Sequence, residues 1–158
     1  MNTVEINNYL CVVKGYGGCY PCDKIPHVQT GQKPVFFVVN TDLSNNKGEH
    51  WVGLALYKKE CLFYDSFGIK IVNKHILDYL RKMKYKFYTY SDLCVQPIYS
   101  DKCGYYVIAF ILCLSFEHNY SNFIEMINED HVDKNDELCI NYINYIYDKY
   151  FRLKKKFK

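Results

Sequence analysis

Four residues in this chain have types and settings that could do covalent chemistry. They are His50 in Gly48-Glu49-His50-Trp51, Asp65 in Phe63-Tyr64-Asp65-Ser66-Phe67-Gly68, Gln96 in Val95-Gln96-Pro97 and Cys103 in Lys102-Cys103-Gly104-Tyr105. A thiol to attack, an imidazole to carry its proton, a carboxylate to orient the imidazole and an amide to donate to an oxyanion are the parts of a cysteine-nucleophile acyl-transfer site. Taken singly, each has a plainer reading: a loop-edge histidine, a strand-ending turn, an ordinary glutamine, a packing cysteine. Their conjunction at strand ends and a helix start is what points to a site.

The elements that must position them follow from hydrophobic patterning. Residues 3–14 suit a short helix, halted by Gly15-Tyr16-Gly17-Gly18, which reads as a loop. Residues 19–34 read as irregular, broken by Pro21, Pro26 and Pro34. Residues 35–40 (VFFVVN) form a β-branched and aromatic run suited to a buried strand. Residues 50–57 and 61–65 read as two strands of a hairpin through Lys58-Lys59-Glu60, which would bring Asp65 beside His50. Helical spacing of Ile76, Leu77, Leu80 and Met83 predicts a helix within 71–85, followed by short strands at 87–90 and 93–96. Cys103 opens an apolar helix to residue 116, and two more helices are expected near 121–128 and 136–151. The expected fold is α+β, a central mixed sheet flanked by helices, with 1–158 as one domain.

The position of Cys103 matters chemically. A helix N-terminus presents unpaired amide donors and positive potential, which favour a thiolate. Gly104 beside it would let a substrate backbone approach closely. Cys113, inside the apolar run, reads as packing.

Bulk composition narrows the classes. With 49% apolar and 23% charged residues the chain is globular rather than disordered. A net charge of +3 gives weak overall attraction to nucleic acid, but residues 149–158 (KYFRLKKKFK) carry six basic residues and no acid. That tail reads as a solvated end, with a DNA contact as the alternative. Seventeen tyrosines and ten phenylalanines accompany abundant Asn, Ile and Lys, a compositional bias rather than a stacking surface. No apolar run is long enough to span a bilayer, and the first ten residues lack a basic region followed by an apolar stretch. Membrane association is therefore not expected, and the eight cysteines are expected to be reduced.

The order and setting of these residues resemble the adenovirus-type (adenain-like) cysteine proteases, of the clan that includes the SUMO- and ubiquitin-like-protein proteases. The resemblance runs through Val39-Asn40-Thr41, His50-Trp51, the Phe63-to-Gly68 turn and Gln96 to the Cys103 helix, and fades after about residue 118. It implies a papain-like or Ulp-like architecture with Cys103 as nucleophile, His50 as base, Asp65 as its orienting acid and Gln96 in the oxyanion hole. It also implies glycine at the cleavage site, threaded through a narrow groove. Trp51 is a candidate wall of that groove, or else a core aromatic. Asp65 stands where adenoviral enzymes carry Glu, as is common in the wider clan. No metal or cofactor is implied. The chain is shorter than the adenoviral enzymes, so activation by a peptide or DNA does not carry over directly.

The expected function is a cysteine endopeptidase that cleaves viral capsid or core precursors, acting as a monomer in the virion and the host-cell interior. A relative from a DNA virus, a virophage or a polinton-like element would fit. A SUMO or ubiquitin-like isopeptidase would share every catalytic residue, as would a related acetyltransferase. From another class, a catalytically silent, virion-associated DNA-binding protein remains open. Cys19-Tyr20-Pro21-Cys22 has the spacing of a redox pair or half a zinc site, but no second such pair follows, so plain loop cysteines are expected. Cys94, close to Gln96, is a candidate for tuning the site.

Overall fold

The run 35–40 is apolar on both faces, which only a strand covered on both sides can accommodate. In the structure, a computed structural model describing residues 1–31, 33–118, 120–127 and 129–152, it lies inside a five-stranded mixed sheet. The strands β1 (Tyr16–Pro21), β2 (Val35–Asn40), β3 (Trp51–Leu56), β4 (Glu60–Tyr64) and β5 (Lys86–Thr89) lie in sequence order. The β1/β2 and β4/β5 pairs are parallel, whereas β2/β3 and β3/β4 are antiparallel. The helices are α1 (Thr3–Leu10), α2 (Lys74–Lys82), α3 (Cys103–Leu112), α4 (Tyr120–Met126) and α5 (Val132–Tyr150). The fold is thus α+β, as expected.

The pleat divides the core. Phe36, Val38 and Ala55 face one side, with α1, α3 and α5 contributing Ile6, Phe110 and Ile143. Phe37, Val39, Leu54 and Leu56 face the other, where α2 contributes Ile76 and Leu80. The apolar helix α3 lies along β3, and every residue from Tyr106 to Leu112 is buried. Gly53 makes that approach possible: a Cβ there would lie 2.9 Å from Phe110 Cδ1 and 3.2 Å from Val107 Cγ1. The Phe110 ring is itself pinned by stacking on Tyr64, centroids 4.9 Å apart. Gly53→Ala is therefore expected to cost about 1–3 kcal/mol by overpacking. A urea midpoint unchanged from wild type would contradict that close packing.

Three expectations need correction. Gly15 lies in a turn as expected, but Tyr16–Pro21 is not loop but β1, paired in parallel with β2 through a bulge between Tyr16 and Gly18. Glycine is required there by packing, since a Cβ on Gly17 would meet the Phe37 ring at 2.4 Å. Residues 93–96 form no strand. Instead the N–H groups of Val95 and Gln96 both donate to the Ser66 carbonyl, at 3.0 and 3.1 Å. The Val95 carbonyl accepts from the side chains of Asn135, at 2.8 Å, and Tyr106. One backbone carbonyl distant in sequence and two side chains thus satisfy groups that a ladder would otherwise hold. Finally, α3 stops at Leu112 and widens into a π-helical turn, Cys113–Glu117. Residues 153–158 of the basic tail lie outside the described residues. Among the described residues, no helix is long and apolar enough to cross a membrane.

Candidate active site

The hairpin turn at residues 57–60, closed by Tyr57 N–H donating to the Glu60 carbonyl at 2.7 Å, sets the register of β3 on β4. Because Gly53 faces Tyr64, the residue following β4 falls opposite Val52, and the residue preceding β3, two positions further along the same face, lies diagonal to it. They are Asp65 and His50. His50 Nε2 lies 2.9 Å from Asp65 Oδ1. Donation of Nε2–H to the carboxylate leaves Nδ1 as the nitrogen available to the thiol.

Asp65 is held in turn. Its Oδ1 also accepts from the Phe67 N–H at 2.8 Å, and the Phe67 ring leans over the imidazole with centroids 5.0 Å apart. On the other side Asn40, at the end of β2, spans the loop leading into His50. Its Oδ1 accepts from the N–H groups of Asp42, at 2.9 Å, and Glu49, at 3.1 Å. The backbone of that loop is tied back where Thr41 N–H donates to the His50 carbonyl at 2.8 Å.

Cys103 comes from the opposite layer, at the first residue of α3. No Lys102 side-chain bond caps this helix start, and the Tyr105 N–H donates instead to the Lys102 carbonyl at 2.8 Å. Cys103 is 8% exposed and lines the same cleft as His50, whose imidazole acts on its thiol. Burial by itself pushes the Cys103 thiol up. The His50 bond, the Trp51 N–H, the His50 charge and the Gly104 N–H together outweigh it, and the thiol lies below its ordinary value. Burial likewise pushes His50 down, but the bonds to Asp65 and Cys103 and their charges lift it to about 9. Both shifts favour an imidazolium–thiolate pair.

These residues open on a cleft of about 600 Å³, lined also by Met1, Asn40, Trp51, Phe67 and Gln96. Gln96 is 1% exposed; its Nε2 donates to the Ser100 carbonyl at 2.9 Å, and its Oε1 accepts from Ser66 Oγ at 2.5 Å. Trp51 does two things at once. It lines the cleft, its indole N–H donating to the Met1 carbonyl at 3.2 Å, and it packs against the core under α3. Gly104 is buried beneath Met1, whose Sδ would lie 2.7 Å from a Cβ there, so it underlies the cleft wall rather than facing the opening.

Four participants escaped the sequence reading. Ser66 and Phe67 lie in the turn that carries Asp65, but nothing local distinguishes them from turn filler. Met1 reaches the cleft only because an Asn2–Glu5 capping box starts α1 there. Asn40, a polar residue closing an apolar strand, was the one legible signal. The other cysteines lack this setting. All eight are free thiols. Cys19 is buried in β1, where burial pushes its thiol up to about 12. Cys22 is buried against the carbonyls of Thr41 and Asp42. Cys94 is exposed and approaches the Gln96 carbonyl at 3.7 Å.

No family model matches the chain, and no curated protein matches it. Among solved structures it is similar to the crystal structure of the ASFV pS273R protease, in its selenomethionine form. The two are 19% identical with a TM-score of 0.48, over 68% of this chain and 43% of that one. The chain thus matches less than half the length of that protein, and what the site does rests on the distances and burial described above.

Proposed function

We propose that the protein is a cysteine peptidase acting at glycine-containing sites in viral capsid or core precursors. The observation that carries this reading is His50, held 2.9 Å from Asp65 and lining one cleft together with Cys103. The Cys103 thiolate attacks the scissile carbonyl carbon, forming a C–S bond and moving an electron pair onto the carbonyl oxygen. The second N–H of Gln96 Nε2 and the backbone N–H of Cys103 stabilise that oxyanion. His50 then protonates the amine nitrogen as the C–N bond breaks, leaving a thioester and a neutral imidazole. Water, deprotonated by His50, adds to the thioester, and collapse expels the thiolate with the carboxylic acid product. A wall of Trp51 and Met1 over Gly104 supports a narrow passage suited to glycine.

The test is hydrolysis of fluorogenic Gly-Gly and Gly-x-Gly peptides by the full chain and by Cys103→Ala, with and without DNA. Cleavage by wild type that vanishes in the variant is the expected result. Silence across the panel under both conditions would overturn the endopeptidase reading and favour an isopeptidase or a DNA-binding role.

A further inference from the structure

A side-chain amide serves an oxyanion hole only if its nitrogen end is presented. The terminal torsion of glutamine is broad, so both orientations are accessible unless neighbours choose between them. Two neighbours choose here. The Ser100 carbonyl can only accept, and it lies 2.9 Å from the nitrogen of Gln96, which identifies that end. With the nitrogen so placed, the Ser66 hydroxyl 2.5 Å from Oε1 must donate. Ser66 is fully buried, Gln96 nearly so, and water does not compete for the bond.

Resting on the reading of Gln96 as an oxyanion donor, we propose that Ser66 is a positioning residue that locks the Gln96 amide with its nitrogen toward the cleft. Ser66 holds the segment twice. Its carbonyl accepts from the N–H groups of Val95 and Gln96, placing the backbone, and its hydroxyl orients the side chain. The same turn therefore supplies Asp65 to the imidazole and, one residue on, Ser66 to the oxyanion donor. Both halves of the site are referred to one rigid corner of the sheet. Without the hydroxyl, Oε1 would be a buried acceptor with no donor. The Ser100 carbonyl alone would then hold the amide, and with one of its two restraints gone the Nε2 donor would be less firmly presented to the place where negative charge develops.

The experiment compares wild type, Ser66→Ala and Ser66→Cys in three ways: kcat and KM on a Gly-Gly peptide, alkylation of Cys103 by iodoacetamide at pH 7, and the side-chain amide NMR signals of Gln96. Removing an oxyanion-hole donor costs about 10²–10³ in kcat, which bounds a residue acting through that donor. Ser66→Ala is expected to lower kcat about 10- to 100-fold, with KM and the alkylation rate within about twofold, since alkylation develops no oxyanion. The Gln96 amide proton shifts should move toward those of a free side-chain amide, and the protons should exchange faster with water. Ser66→Cys, which keeps a weak donor, should lie between, and it decides the matter if Ser66→Ala does not fold. Wild-type kcat in Ser66→Ala, a parallel fall in alkylation, or unmoved Gln96 signals would each overturn the proposal. If wild type cleaves no peptide, the peptidase reading fails by itself, and the Gln96 signals still decide the role of Ser66.

Discussion

His50→Ala is expected to lower kcat/KM on a cleavable peptide by roughly 10³–10⁵, because the imidazole performs two separable tasks. As general acid and base it contributes about 10²–10⁴. As a cation beside Cys103 it is the main influence opposing burial of the thiol. With it gone, burial dominates, and at pH 7 the thiolate becomes a minor species, a further factor of about 10 or more. Alkylation isolates the second task. Iodoacetamide at pH 6 should modify Cys103 in wild type ahead of Cys11 and Cys94, the two exposed cysteines. In His50→Ala that selectivity should disappear. An unchanged alkylation rate would mean that something other than His50 ionises the thiol.

Asp65→Ala should move the basic limb of the pH–rate profile downward and lower the maximum about 10²-fold or more. The active pair exists from the lowered pKa of the thiol up to about 9, where His50 gives up its proton. Activity thus rises with pH through the first and falls through the second, and both limbs belong to the pair rather than to one residue. Removing the carboxylate leaves burial, the largest influence on His50, opposed only by Cys103, so the upper limb falls below 9. The same change carries a stability signature. A histidine raised above its unfolded value of about 6.5 stabilises the fold fully below that pH and loses the contribution as pH passes about 9. The urea midpoint of Asp65→Ala should therefore fall further below wild type at pH 6 than at pH 10. Equal deficits at both pH values would show that Asp65 does not hold the imidazolium.

Where the chain alternates or clusters apolar residues, reading it was enough. The runs at 35–40, 51–56 and 60–64 and the core helix from Cys103 are governed by local periodicity and by burial on both faces. Residues 16–21 were misread because glycine signals a loop, whereas here it answers the Phe37 ring across a parallel pairing. Residues 93–96 were misread for the opposite reason. Their extended, apolar pattern suits a strand, yet their backbone partners are Ser66, Tyr106 and Asn135, distant in sequence. The π-helical turn after Leu112 carries no pattern at all.

The residues at which chemistry is possible were legible because acyl transfer needs particular functional groups, and strand ends and helix starts are marked by local composition. The hairpin reading also placed Asp65 beside His50, but the approach of Cys103 to that pair was not legible. Sheet order brings β3 beside β4, and the absence of a side chain at Gly53 lets α3 close upon them. That packing places the thiol against the imidazole. The protonation state of His50 and Cys103 and the orientation of the Gln96 amide depend on burial and on partners that no local spacing encodes. These are through-space properties, set by where Asp65, Ser66 and Trp51 come to rest in the folded chain.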